Sequence, residues 1–269
     1  MGDCRIAVLG CRGRMGQMLV REITAAEGCA VAAATELPGD EAVGRDAGAL
    51  AGLDPLGVTV GDDTGAAAAA SDVLVDFTVP AAAAGHAAAA AEAGTALVIG
   101  TTGLEPEHTA ALEAAAASVP VVYAPNMSLG VNLLFAITEQ VAGALGDDWD
   151  IEVVEMHHRH KADAPSGTAL GFGRAAARGR GVDLDAVADR GRDGVTGARR
   201  PGDIGFAVLR GGDVAGEHTV VFATENERVE LTHKAGSRAI FARGAVRAAR
   251  WAAGRKPGLY DMADVLGLR

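Results

Sequence analysis

Ile6-Ala7-Val8-Leu9-Gly10-Cys11-Arg12-Gly13-Arg14-Met15-Gly16 decides the fold. Four apolar residues read as a short buried strand, three glycines follow at GxxGxxG spacing, and residues 15–26 carry helical periodicity. In such a unit the first glycine permits the tight turn and the second lets backbone approach a pyrophosphate. The third lets the helix pack closely on the strand. The pyrophosphate meets unpaired N–H groups at the helix N-terminus, where the dipole favours negative charge. Gly10, Cys11, Arg12, Gly13, Arg14 and Met15 are therefore candidate dinucleotide-binding residues. With 37 glycines in the chain such a spacing also arises by accident, so context has to support it. Glu36 does so: it follows the next strand, residues 31–35, where a carboxylate accepts hydrogen bonds from the adenosine ribose. A carboxylate there repels a 2′-phosphate and favours NADH, although Arg12 and Arg14 would attract phosphate.

The alternation continues downstream. Residues 73–77, 96–99 and 121–123 read as strands, separated by helices that run to Ala93 and over 106–117. This rhythm predicts an α/β fold whose N-terminal part is a Rossmann-like, doubly wound parallel sheet with right-handed crossovers. The alanine-dominated stretches at 66–70 and 81–91 read as helix built from a biased composition. Residues 37–61, with six glycines and two prolines, read as a long connection with room for one short helical turn. Gly100, Thr101 and Thr102 follow the fourth strand of the pattern, and Ala124, Pro125, Asn126 and Met127 follow the fifth. Both groups fall at strand C-terminal ends, where an open parallel sheet binds ligands, and are candidates for the nicotinamide end of the cofactor. Capping of loops by Thr and Asn is the alternative.

After Asn126 the texture changes. Residues 129–145 read as a helix, 151–156 as a strand, 168–177 as a helix, and 182–202 as a polar loop with short helical turns. Three strand-like runs follow at 204–210, 219–224 and 227–233, which predicts a second α+β domain with a mixed or antiparallel sheet. A helix over 239–253 precedes a Pro257-Gly258 break and a short tail. That helix is expected to return to the first domain. The expected division is a dinucleotide-binding domain from 1–127 plus 238–269 and a substrate-binding domain from 128–237.

Bulk properties narrow the partners. The chain has 269 residues, 49% hydrophobic, with a formal net charge of -11, which argues against nucleic acid and anionic membranes. No apolar run reaches the ~18 residues of a membrane span, and the start, Met1-Gly2-Asp3-Cys4-Arg5, has no signal-peptide pattern. Cys4, Cys11 and Cys29 form no CxxC pair and read as reduced thiols of a cytoplasmic protein, with Cys11 partly exposed in the glycine loop.

The run Glu155-Met156-His157-His158-Arg159-His160-Lys161-Ala162-Asp163-Ala164-Pro165-Ser166-Gly167-Thr168 concentrates proton-transfer and anion-binding groups. Reduction of a carbon–nitrogen or carbon–carbon double bond needs a hydride, which a nicotinamide supplies, and a proton, which the protein must supply. Histidine transfers protons near neutral pH, and lysine donates a proton or holds a carboxylate. Ser166, Gly167 and Thr168, opening a helix, offer backbone amides and two hydroxyls as a carboxylate receptor. Asp163 would orient the lysine or cap the loop. The HHxH spacing is not that of a zinc helix, and a neighbouring lysine disfavours a cation, so no metal is expected.

Taken together, these residues resemble the 4-hydroxy-tetrahydrodipicolinate reductase (dihydrodipicolinate reductase) family of the diaminopimelate route to lysine. The matching motifs are GCRGRMG at 10–16, DFTVP at 76–80, GTTG at 100–103, APNMSLGVN at 124–132 and EMHHRHKADAPSGTA at 155–169. RPGDIGF at 200–206, GEHTV at 216–220 and ELTHKAGSRAIFARGA at 230–245 complete the set. The resemblance implies reduction of the cyclic dicarboxylate by NADH or NADPH with loss of water, His157 as acid/base and Lys161 as proton donor. It implies His158, Ser166, Gly167 and Thr168 as substrate-binding residues, the cofactor residues already named, and a homotetramer assembled through the second domain's sheet. Leu37 stands where many relatives carry Arg, Val79 where some carry a basic residue, and Met127 where many carry Phe. The first two departures weaken the case for NADPH. The alternative is another nicotinamide-dependent dehydrogenase, of amino-acid or semialdehyde type, on the same two-domain plan.

Overall fold

The computed structural model describes residues 2–269; Met1, the first residue of the expected leaderless start, lies outside them. The elements in chain order are β1 (Cys4–Leu9), α1 (Arg14–Ala25), β2 (Cys29–Thr35), α2 (Ala47–Leu50), β3 (Val60–Gly61), α3 (Thr64–Ala69), β4 (Val73–Asp76), α4 (Pro80–Ala93), β5 (Ala96–Ile99), α5 (Pro106–Ala116) and β6 (Pro120–Tyr123). Then come α6 (Leu129–Ala144), β7 (Asp150–His157), α7 (Gly167–Arg180), α8 (Leu184–Val187), β8 (Ala188–Asp189), β9 (Ile204–Arg210), β10 (Gly216–Thr224) and β11 (Glu227–Ala235). The chain closes with α9 (Ala239–Ala252), β12 (Gly258–Tyr260) and α10 (Met262–Leu266). It divides into two compact units, one made of residues up to Leu129 together with Ala239–Arg269, the other of Gly130–Arg238.

The first unit is a seven-stranded sheet in the order β12-β6-β5-β4-β1-β2-β3, with every pairing parallel. Its inner strands are continuous apolar runs because both faces are covered: all four residues of β5, Ala96 to Ile99, are buried. One face packs under α1 and α9, the other under the alanine helices α4 and α5. Alanine serves here because small side chains let helices approach closely; α4 buries Ala83, Ala87 and Ala90 along a single stripe. Pro80 opens that helix and Gly94, at φ 69°, closes it. In α9 Gly244 lies against the Met127 backbone, and a Cβ there would fall 1.7 Å from the Met127 carbonyl oxygen.

Two stretches expected as irregular contain strands. The 37–61 connection ends in β3, which pairs with β2, and the tail after Pro257 forms β12, which extends the sheet beside β6. Strands of two and three residues are too short to show periodicity, and neither forms without a neighbour already in place. The 182–202 segment likewise holds α8 and the two-residue β8.

The second unit is a mixed five-stranded sheet, β11-β10-β7-β9-β8. β7 runs antiparallel to β10 and parallel to β9. Alternate residues of β7 are buried, Ile151 and Val153 facing a core that α6 and α7 complete through Val131, Phe172 and Ala176. The same alternation carries Glu155 and His157 onto the buried side.

Candidate active site

Strand order reverses between β1 and β4, the switch point at which doubly wound sheets bind ligands. A cleft of about 680 Å³ opens there, lined among others by Gly10, Arg12, Gly13, Arg14 and Glu36. That volume suits a dinucleotide half or a small cofactor. Gly10 takes φ 68° to make the turn. A Cβ on Gly16 would sit 2.1 Å from the Gly10 carbonyl oxygen, so the third glycine is required by the approach of helix to loop. Gly13 caps α1 without any side-chain hydrogen bond, leaving the helix start open to an anion. Glu36 accepts the Arg12 amide at 2.7 Å, which ties the end of β2 to the glycine loop.

One expectation is corrected. Cys11 is not exposed: it is buried, and burial, with Glu36 nearby, pushes its thiol up to about 12. Its place in the loop is filled by backbone, since the residue after the tight turn points its side chain into the core. The Arg12 guanidinium, at the cleft, pairs with Asp40 at 2.9 Å and Glu41 at 2.6 Å. Arg14 is exposed, and Met15 packs against the sheet core rather than lining the cleft.

Gly100, Thr101, Thr102, Ala124, Pro125, Asn126 and Met127 sit at the C-terminal ends of β5 and β6, outside the cleft lining. Thr101 is buried and donates to Asp76 at 3.0 Å. The Asn126 side chain accepts the Ser128 amide, and Met127 is buried in the core. Thr102 is exposed. Residues 77–79, 82 and 86 line the cleft as well. The buried Asp76 accepts from His86 Nδ1 at 2.8 Å and from the Thr78 amide and hydroxyl. Burial raises its carboxyl, but those hydrogen bonds more than offset this and hold it below the usual range. The signal for His86 was a lone imidazole in an alanine helix ten residues after a strand-ending aspartate.

The second unit gathers the other candidates. Glu155, 1% exposed, accepts His157 Nδ1 at 2.5 Å, the Ser166 amide at 2.9 Å and both terminal nitrogens of Arg210 at 2.8 and 3.0 Å. Burial pushes this carboxyl up, and the bonds from Arg210, His157 and Ser166 bring it below its ordinary value. Arg210 also donates to the Asp163 carbonyl, and Asp163 pairs with Lys161 Nζ at 2.9 Å. His157 is lowered chiefly by burial, against the Glu155 carboxylate, with the Lys161 and Arg210 charges adding to the fall. His218 stacks edge-on to His157, ring centroids 5.0 Å apart, and lies 3.2 Å from Ser166 Oγ.

Ser166 caps α7 by accepting the Ala169 amide. Its amide and hydroxyl are thus engaged within the protein, and the helix start beyond it is left to Gly167 and Thr168. His158 donates its amide to the Val214 carbonyl and lies 3.5 Å from Arg238. Arg210 and His218 escaped the residue-type reading, which placed Glu155 in the charged run without giving it a role. Strand alternation is the signal that singles out Glu155, because an acid on the core-facing side of β7 demands a buried counter-charge.

The N-terminal model of dihydrodipicolinate reductase matches residues 4–127 and the C-terminal model residues 130–266. The 4-hydroxy-tetrahydrodipicolinate reductase of Rhodopseudomonas palustris (strain BisA53) is 57% identical over 268 residues, covering 100% of this chain and 98% of that protein. That of Thiobacillus denitrificans is 57% identical over 265 residues, covering 98% and 99%. In fold the chain is similar to a dipicolinate-bound dihydrodipicolinate reductase from Paenisporosarcina sp. TG-14, with TM-score 0.78, 24% identity, and 97% and 98% of the two chains covered. It is more distantly similar in fold to an amine dehydrogenase from Mycobacterium smegmatis, with TM-score 0.61 and 16% identity, covering 96% and 94%.

Proposed function

The chain belongs to the dihydrodipicolinate reductase family, and from that premise we propose how its residues share the nicotinamide-dependent reduction of 4-hydroxy-tetrahydrodipicolinate to tetrahydrodipicolinate in lysine biosynthesis. The first unit holds the cofactor. The open start of α1 and Arg14 receive the phosphates, Glu36 receives the adenosine ribose, and the loops at 100–102 and 124–127 receive the nicotinamide end. We infer a preference for NADH. Arg12 is paired to two carboxylates, while Leu37 and Val79, 73% and 57% exposed, offer a 2′-phosphate no charge.

The second unit holds the dicarboxylate and moves the proton. When bound, the cofactor supplies hydride to the ring. The hydroxyl leaves as water, so the site must deliver a proton. Lys161, steered by Asp163, is the donor, and His157 is the acid/base. Burial keeps the free imidazole neutral at pH 7, and a dianionic substrate beside it draws a proton onto it. The Gly167 and Thr168 amides open α7 to a substrate carboxylate, with His158 alongside. The observation that carries this reading is the single hydrogen-bonded cluster that joins His157, Glu155, Arg210, Asp163 and Lys161 to the start of α7.

The assay is loss of nicotinamide absorbance on supplying the condensation product of pyruvate and aspartate semialdehyde. His157→Gln and Lys161→Ala should each lower kcat by ~10²–10⁴-fold while cofactor affinity stays near that of the parent. Full rate in both variants would remove these roles. The free thiols fit a cytoplasmic setting. Leu209, 51% exposed on the five-stranded sheet, fits assembly into a homotetramer through that sheet, which sedimentation at assay concentrations tests.

A further inference from the structure

We propose that Glu155 is a positioning residue that fixes His157 as its Nδ1–H tautomer, makes Nε2 the reacting atom, and sets the first turn of α7 with the same carboxylate. The inference rests on His157 being the proton-transfer group. An ionised carboxylate offers about four lone-pair sites, and Glu155 uses all four within the fold. Oε2 takes His157 Nδ1 and Arg210 Nη1, while Oε1 takes the Ser166 amide and Arg210 Nη2. A group that only accepts obliges the imidazole to carry its hydrogen on Nδ1, so the neutral ring presents its lone pair at Nε2. The fold leaves room there: a Cβ on Gly216 would come within 3.0 Å of Nε2, and glycine withholds it.

The charged and titratable groups around His157 come from four places: Glu155 on β7, Arg210 on β9, His218 on β10 and Lys161 in the loop, with the uncharged Ser166 cap of α7 beside them. Glu155 hydrogen-bonds both to the imidazole and to the backbone amide at the helix start, while His218 meets the ring edge-on and reaches only the Ser166 hydroxyl. Arg210, held by two hydrogen bonds to Glu155, keeps that carboxylate from competing for the proton. The pair therefore acts on catalysis through His157 and through the carboxylate receptor, touching no substrate itself.

Glu155→Gln discriminates this role from a merely structural counter-ion. Placed at Oε1, the amide NH₂ would face two donors; placed at Oε2, it faces one donor and His157 Nδ1, which becomes the acceptor. The tautomer should reverse. Nitrogen-15 NMR of the full-length protein with labelled histidine reads this directly, the seven histidines being sorted with His157→Gln. We expect protonated Nδ1 and bare Nε2 in the parent, and the reverse in Glu155→Gln. Turnover should fall by at least ~10²-fold, the substrate KM should rise, and the cofactor KM should hold within about twofold. Glu155→Asp should recover part of the rate. The His157 limb of the pH profile should move to lower pH in Glu155→Gln, because a carboxylate that favours the imidazolium is gone.

An Nε2–H tautomer in the parent protein overturns the proposal without any variant, so a poorly folding Glu155→Gln does not shelter it. An unreversed tautomer or an unshifted limb in a folded variant overturns it too. Full rate in His157→Gln ends the underlying reading instead, and the tautomer measurement tells the two failures apart.

Discussion

Acid should weaken the second unit through His218. This ring is 4% exposed, and burial, with His157 beside it, pushes it down to about 3. The unfolded chain takes up a proton below about pH 6.5, while the folded unit declines it until about pH 3. Over that window the unfolded state binds more protons, so stability rises with pH and is lost on acidification. Each pH unit is worth ~1.4 kcal/mol per proton, giving ~2 kcal/mol lost by pH 5 and ~5 kcal/mol at the limit. His157, Glu155, His233 and Lys161 share the surroundings of His218, so the variant must remove the titration and little else. His218→Gln does so, because its amide can still reach Ser166 Oγ. The assay is urea unfolding at steps from about pH 7 to about pH 4.5, read by fluorescence of Trp149 in a Trp251→Phe background. The chain has two tryptophans, and Trp149 packs against the core of the second unit. The parent curve of stability against pH should be steeper by about one proton. Parallel curves would refute the reasoning.

Two further perturbations test the first unit. Leu37→Arg should raise kcat/KM with NADPH by ~10-fold, about 1.4 kcal/mol, relative to NADH, and an unchanged ratio would remove Leu37 from cofactor choice. Gly244→Ala should cost ~1–3 kcal/mol or more in urea unfolding, because its Cβ meets the Met127 carbonyl oxygen at 1.7 Å. Gly85→Ala, within α4 and with nothing inside 4 Å, should instead stabilise by ~0.5–1 kcal/mol. Equal effects of the two substitutions would refute the packing argument.

Much of this molecule was readable from residue types because its signals are local. Three glycines at one spacing announced β1 and α1, and the unbroken apolar run at 96–99 announced a strand covered on both faces. β3 and β12 were hidden because two or three residues carry no period and owe their form to β2 and β6. In the candidate site, His157 and Lys161 stand out in the sequence by residue type and crowding. Arg210 lies 55 residues beyond the carboxylate it neutralises, and His218 meets Ser166 across 52, so only strand register brought them in. Cys11 misled because a loop position suggests exposure, whereas the turn at Gly10 rotates that side chain inward.

The first unit is written in two pieces, and its second piece comes last. Helix α9 buries seven residues against the sheet, Ala242 to Ala252, and β12 supplies one edge of it. On the ribosome, at ~5–20 residues per second, domains ordinarily mature from the N-terminus. Here the glycine loop emerges early yet stays on an incomplete layer until Ala239–Arg269 have been made. Residues 130–238, contiguous in the chain, can close their own core beforehand. The order of folding is thereby inverted: the contiguous unit, to which the proposed function assigns the dicarboxylate, can be complete before the divided one, and premature termination near the C-terminus would leave the seven-stranded sheet without α9 and β12.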